Sequence, residues 1–559
     1  MKTVIATAVQ AVCEEQGIPA VDFTIEHPNE LAHGDYACNV ALVAAKAAQE
    51  SPRAIADTLA TALEGQIEYV DRIEVAGPGF LNFYLSREFF TTELVRAQQQ
   101  NEEWGSNDLC FGEEVLIEYT SPNLFKPLHV GNLVGNIIGE SFTRLFEFSG
   151  AVVRRMNYPS DIGLTVAKGV WGLQKSDGDP HDIQALGDAY RLGNEAYESD
   201  VVAKAEIETV NRSLYAGNNT ELNQLREIGL ATSRARLNEL CRLLGTHFDH
   251  EISESQASAP GTAMVQEHIG TVFAESEGAI VYQGEKVGLH TRVFLNSQGL
   301  PTYEAKDTGN FLLKQNVYPN WAHSIIVTGN EQREYFKVLF AALKELFPEA
   351  AERTLEHVPT GFLTLTTGKM SSRKGNVLTG ESLLEELMEE AKRKAAETRT
   401  DDVEALTEAV AVAALKYQIL RHGVGSDIVF DKAQALSFEG DSGPYLQYTH
   451  ARICSVLDKA AAVGVVPSVQ GAPEQSYEIE RILYRFPEVI QAALLERAPH
   501  QVVTYLTQLS GAFNTFYAHK KIADPDDQYA PYKAAVADAV RITLKNGLWV
   551  LAIQAPERL

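Results

Sequence analysis

At 559 residues the chain is too long for a single hydrophobic core, which predicts three or four domains. Hydrophobic residues at 45% and charged residues at 22% are those of a globular protein, and no apolar run is long enough to span a membrane. A net charge of −27 opposes general binding to nucleic acid, so any RNA contact needs local basic patches on an acidic body. Cys13, Cys38, Cys110, Cys241 and Cys454 are scattered with no CxxC pair, which suggests neither a zinc site nor a disulfide framework and fits a reducing cytoplasm.

Residues 1 to 95 read as a small α/β module. Thr3 to Val12 has helical spacing, and the early Glu14 and Glu15 favour an amphipathic first helix over a signal peptide. His33-Gly34-Asp35-Tyr36 reads as a turn and Asn39 to Ala48 as a helix. Pro52 to Leu63 is a second helix, with Ser51 placed to cap it. Tyr69–Glu74 and Phe80–Leu85 alternate like strands around Gly77-Pro78-Gly79.

Residues 112 to 380 read as a parallel-sheet unit of Rossmann type, interrupted by a polar helical insertion over about 174–248. Val115–Tyr119 is a short apolar strand, and Thr120–Leu128, rich in Ser-Pro-Asn and Lys-Pro, is a loop. From Val130 the spacing turns helical, with Leu133, Ile137, Ile138, Phe142, Leu145 and Phe146 on one broad face. His129 and Gly131 therefore stand where a strand hands over to a helix, and the free N–H groups and dipole there suit an anion such as a triphosphate. Gly131 lets a ligand approach the backbone, and His129 and Asn132 offer donors to phosphate oxygens. Ala151–Asn157 follows as a second strand. Downstream, Ala279–Tyr282, Arg292–Leu295 and Ser324–Val327 are strand candidates within a β/α alternation. Tyr303 and Asp307 are four apart at a helix start, so they share a face. Gln332 opens another helix, and Gly368 to Asn376 is a small-residue cationic loop. Residues 381 to 559 lose strand signals and read as a helix bundle, with Leu415–Leu420, Tyr445–Leu457, Ile479–Leu495 and Val502–Tyr517 as its main helices. Tyr517, His519, Lys520 and Lys521 make an aromatic and basic cluster suited to RNA.

His129-Val130-Gly131-Asn132 and Lys369-Met370-Ser371-Ser372-Arg373 together resemble the HIGH and KMSKS signatures of the class I aminoacyl-tRNA synthetases. Ser121-Pro122-Asn123 with Lys126-Pro127-Leu128-His129 is similar to the arginyl-tRNA synthetases in particular. So are His33–Tyr36, Gly77–Asn82, Gly443–Tyr448, His450–Arg452 and Ala555–Arg558, so the resemblance runs nearly the length of the chain.

The resemblance implies that the arginine carboxylate attacks the α-phosphorus of ATP, and that the arginyl group then passes to the 2′-hydroxyl of the terminal adenosine of tRNA(Arg). It implies an N-terminal domain touching the tRNA, a catalytic domain, and a helical anticodon-binding domain over 381–559. His129, Asn132, Lys126, Lys369 and Arg373 fall to catalysis, and Gly131, Met370, Ser371 and Ser372 join His129, Asn132 and Lys369 at ATP. Glu118, Asn123, Tyr303, Asp307 and Gln332 fall on arginine-binding positions, with Glu254 beside them. Acids suit a guanidinium, which has donors and no acceptor. Tyr517, His519 and Lys520 face the tRNA. Mg²⁺ is expected with ATP, without a dedicated protein site. The chain is expected to act as a cytoplasmic monomer. Two departures stand out: the first motif ends in Asn132 where the family has His, and Ser372 occupies the second lysine position of the other. Alternatives are a synthetase for another amino acid, a tRNA-independent nucleotidyltransferase of the same superfamily, and a non-catalytic RNA-binding paralogue.

Overall fold

The computed structural model describes residues 1–366, 379–395 and 403–559. Its N-terminal module runs α1 (Lys2–Glu15), β1 (Ile25–Glu26), β2 (Tyr36–Cys38), α2 (Val40–Ala48), α3 (Pro52–Leu63), β3 (Val70–Ala76), β4 (Phe80–Leu85) and α4 (Arg87–Gln100). Its strands form one antiparallel sheet in the order β1-β2-β4-β3. Ser51 caps α3 as expected, its hydroxyl accepting from the Ala54 N–H at 3.2 Å. Asp35 and Tyr36 are buried and face the C-terminal helices: Asp35 pairs with Arg481 at 2.7 Å, and the Tyr36 hydroxyl donates to Glu488 at 2.6 Å.

The central sheet contains β5 (Glu114–Glu118), β6 (Val152–Asn157), β7 (His250–Glu251), β11 (His323–Gly329) and β12 (Thr354–Thr360), all parallel in the order β12-β11-β5-β6-β7. Between β5 and β6 runs α5 (Val130–Glu147). Between β6 and β7 runs a helical block, α6 (Leu164–Ser176), α7 (Ile183–Ser199), α8 (Val201–Ala216) and α9 (Thr220–Leu243). After β7 come α10 (Glu254–Glu267), β8 (Ala274–Ser276), β9 (Ala279–Tyr282), β10 (Arg292–Leu295) and α11 (Tyr303–Val317); α12 (Arg333–Leu346) and α13 (Pro348–Ala351) follow β11. The strands at 279–282 and 292–295 do not extend the parallel sheet. They form their own antiparallel sheet, β10-β9-β8, because short connections join them as hairpins, whereas parallel neighbours need long crossovers.

Beyond β13 (Leu363–Leu365) the described chain is helical: α14 (Gly380–Ala395), α15 (Val403–Leu420), then β14 (Ile428–Phe430), α16 (Lys432–Ala435), α17 (Gly443–Ala462), α18 (Glu480–Leu483), α19 (Phe486–Leu495), α20 (Pro499–His519) and α21 (Ala530–Val550). The expectation that strands end before 381 is corrected by β14, which pairs in parallel with β13 and ties the bundle to the segment that follows the parallel sheet. The expected single apolar face of α5 is also corrected. From Leu133 to Thr143 every residue is buried, because the sheet covers one side and the bundle the other in one continuous core.

Candidate active site

Strand β5 has β6 on one side and β11 on the other, so the chain direction of winding switches there. Ligands of open parallel sheets sit beyond the carboxyl ends of the strands at such a point. Glu118 ends β5, His129 heads α5, and Gln332 follows β11 just before α12. The loop from β5 to α5 holds three non-glycine residues in left-handed backbone: Thr120 (φ 74°), Ser121 (φ 40°) and Phe125 (φ 69°). Each costs about 1–3 kcal/mol unless its surroundings hold it. Here Asn132 donates to the Thr120 carbonyl at 2.8 Å, and Asn136, one turn on, donates to the Thr120 hydroxyl at 2.9 Å. Asn132 thus commits one of its two N–H donors to the loop, leaving the other for a ligand. Phe125 and Leu124 are buried in the hydrophobic cluster of the helical block. A Cβ on Gly229 would lie 2.4 Å from the Phe125 ring, and one on Gly169 2.8 Å from it. The block therefore grips the loop that carries Lys126 and His129.

His129 is the N-cap of α5, and its Nδ1 accepts from the Gly131 N–H at 3.1 Å. That bond places the ring proton on Nε2, which points a neutral donor outward. Burial lowers its pKa and Lys126 adds to the effect, against Glu331, so the imidazole is neutral at pH 7. A Cβ on Gly131 would come within 3.3 Å of Nδ1, so glycine keeps this turn tight. Burial also lowers the pKa of Lys126, whose ammonium lies 5.8 Å from the Tyr190 ring centroid. Lys369, Met370, Ser371, Ser372 and Arg373 lie outside the described residues. Thr379, where the described chain resumes, forms a β-bridge with His129, and the Gly380 N–H donates to the Leu128 carbonyl at 2.8 Å.

The acidic half lies on the other side of β5. Alternation along the strand turns Glu118 to the same face as Leu116, toward α11. It is buried, accepts from Asn310 Nδ2 at 2.9 Å, and pairs with Lys314 at 2.5 Å. Glu254 is buried against Lys306. Asp307 accepts from the Tyr335 hydroxyl at 2.5 Å. Desolvation pushes its pKa up to about 7; the Tyr335 bond opposes this, Glu118 and Glu254 add to it, and Lys314 opposes it. Glu118, Asp307, Asn310 and Lys314 line one pocket. Tyr303, one turn before Asp307 on α11, is 59% exposed, with the Lys306 ammonium 4.7 Å from its ring centroid. Asn123 bridges Ser160 at the end of the β6 loop, and Gln332 is half-buried.

The structure thus gathers Glu118, Asp307 and Tyr303 around α11, but Glu118 is not an open acid facing the cleft: a lysine already holds it. Sequence reading missed Asn310 and Lys314. The available signal was the spacing 303, 307, 310, 314, a polar stripe of one helical face.

On the bundle, Tyr517, His519 and Lys520 are exposed at the end of α20. Tyr517 stacks on Phe513, with the Arg452 guanidinium 5.8 Å from its ring centroid and 4.6 Å from that of Tyr448. Exposed Tyr448 and half-buried Arg452 belong to the same group and were not singled out for RNA from sequence. His450 is buried, with Nδ1 2.9 Å from the Pro556 carbonyl, so that part of the motif anchors the chain end.

Three family models match in order: "Arginyl tRNA synthetase N terminal domain" over residues 1–85, "tRNA synthetases class I (R), catalytic domain" over 95–432, and "DALR anticodon binding domain" over 446–559. The chain is 31% identical to the arginine–tRNA ligase of Treponema denticola, covering 95% of this chain and 93% of that one. It is 28% identical to the arginine–tRNA ligase of Archaeoglobus fulgidus, covering 95% and 96%. The solved arginyl-tRNA synthetase of Thermus thermophilus superposes with a TM-score of 0.80 at 26% identity, covering all of both chains.

Proposed function

We propose, for a chain that belongs to the class I arginyl-tRNA synthetases, that the turn at His129 and the pocket at Asp307 are the two halves of one reaction site. The enzyme attaches L-arginine to tRNA(Arg) with ATP through an arginyl-adenylate, releasing pyrophosphate and AMP. The β-bridge between Thr379 and His129 carries this reading, since it holds a position ten residues after Lys369 in sequence against the first signature at the switch point.

The triphosphate lies over the N-terminus of α5. Neutral His129 donates from Nε2, Asn132 offers its remaining N–H, and Lys126 supplies charge. Lys369 and Arg373 serve the leaving pyrophosphate, with Gly131, Met370, Ser371 and Ser372 lining the nucleotide. Alignment and positive charge on the leaving group supply the rate, because phosphoryl transfer needs little covalent help. Arginine lies with its guanidinium at Asp307 and its α-carboxylate toward the α-phosphorus. Tyr303, Asn123 and Gln332 contact it, and Glu118 shapes the floor. Mg²⁺ travels with ATP.

We read residues 1–95 as the tRNA-contacting domain, 112–380 as catalytic with its insertion at about 174–248, and 381–559 as anticodon-binding, with Tyr517, His519 and Lys520 on the RNA face. The chain is read as a cytoplasmic monomer; no helix among the described residues is long and apolar enough to cross a membrane. Arginine-dependent ATP–pyrophosphate exchange, with and without tRNA(Arg), tests the site. His129→Ala should nearly abolish it, and an unchanged rate would remove His129 from the chemistry.

A further inference from the structure

Five charged side chains crowd the pocket between β5, α10, α11 and α12: the acids Glu118, Glu254 and Asp307 and the lysines Lys306 and Lys314. Burying any of these charges unpaired is unfavourable, so pairing decides which charge is left over. Lys306 belongs to Glu254 and Lys314 to Glu118, and all four are buried. Asp307 alone among these acids has a phenol, Tyr335, in place of a cation within the described residues. Asn310 sits between the two sites. Its Nδ2 donates to Glu118, while its buried Oδ1 has no hydrogen-bond partner.

We propose that Lys314 is a positioning residue for arginine selection: it acts as the built-in counter-ion of Glu118 and leaves the pocket one negative charge, at Asp307, to be matched by one guanidinium. Asn310 locks Glu118 in place and presents its spare carbonyl on the same helix face, one turn from Asp307, where a guanidinium N–H finds an acceptor. The inference rests on the arginine-pocket reading above. It adds that the net charge of the pocket is set by a lysine that never touches the substrate.

The groups facing Asp307 are Glu118 on β5, Glu254 on α10, Lys306 and Lys314 on α11, Tyr335 on α12 and Tyr158 after β6. Removing the Lys314 charge leaves two carboxylates sharing one site, and such a pair holds a proton to higher pH.

The test is equilibrium titration of the full chain with arginine from about pH 6 to about pH 9, with ATP titrated in parallel. Lys314→Met should bind arginine at least about tenfold more weakly at pH 7. It should regain affinity toward pH 9, with the rise moved up by about one pH unit and ATP binding unchanged. Lys314→Arg should restore the original profile. A loss of equal size at every pH, or an unchanged profile, overturns the inference, since a structural role alone would not move the profile. Asp307→Asn separates the two layers: normal arginine binding by that variant overturns the pocket reading itself. Loss in Asp307→Asn beside an unmoved Lys314→Met profile ends only the counter-ion role.

Discussion

The two halves of the site are built in opposite ways. At the His129 turn the working groups are half-exposed and neutral or cationic, and what holds them is a strained loop clamped by Asn132, Asn136 and the grip on Phe125. At the Asp307 pocket the backbone is regular helix, and what is unusual is the density of buried charge. A triphosphate brings its own charge and flexible oxygens, so it is met by aligned donors at a helix end. A guanidinium is planar and cationic, and selecting it takes one uncompensated acid in a low-dielectric wall.

That contrast can be broken from either side. The largest effect is expected at the turn: His129→Ala should slow ATP–pyrophosphate exchange by about 100- to 1000-fold, the usual loss for one aligned donor. Arginine affinity should hold, and a matching loss of arginine binding would merge the two halves into one. Next, Asp307→Asn should weaken arginine binding by about 100-fold, because truncating one partner of a buried charge pair typically costs about 2–5 kcal/mol. Equal weakening of ATP would defeat the assignment.

The halves should also part in their pH response. Arginine needs Asp307 ionised, and its carboxyl is pushed up to about 7 in the free pocket. Arginine affinity should therefore be full above pH 7 and fall as pH drops, by up to about tenfold per unit well below it. His129 has its pKa lowered by burial, the opposite direction to Asp307, so ATP affinity should not follow the same curve. Coincident curves in parallel titrations would show that one group governs both. The smallest effect concerns the grip: Phe125→Leu should cost about 1 kcal/mol of stability and raise the KM for ATP while sparing that for arginine. An unchanged KM for ATP would show that the helical block does not position the loop.

Much of the first half could be seen in the residues alone. The strand before Thr120, the helix from Val130 and the cap at Ser51 all depend on neighbours a few positions away, and they appear where spacing and capping chemistry place them. The left-handed backbone at Thr120 and Phe125 could not be read, because the residues that stabilise it come from α5 and from Ser233 in the helical block, whose hydroxyl accepts from the Phe125 N–H. The separate sheet β10-β9-β8 and the pairing of β13 with β14 were missed for the same reason: strand propensity says that a segment extends, not which edge it joins.

By itself the sequence determined the order of the elements, the two cationic signatures and the residue types that suit phosphate and guanidinium. The tertiary structure alone decided which acid is free. Glu118 and Asp307 look alike in the chain, but Glu118 meets Asn310 across 192 residues and Lys314 one turn beyond, while Asp307 accepts from the Tyr335 phenol and has no ion-pair partner among the described residues. Electrostatic energy in a buried site depends on separations of a few ångströms, and those are set by how β5, α11 and α12 pack.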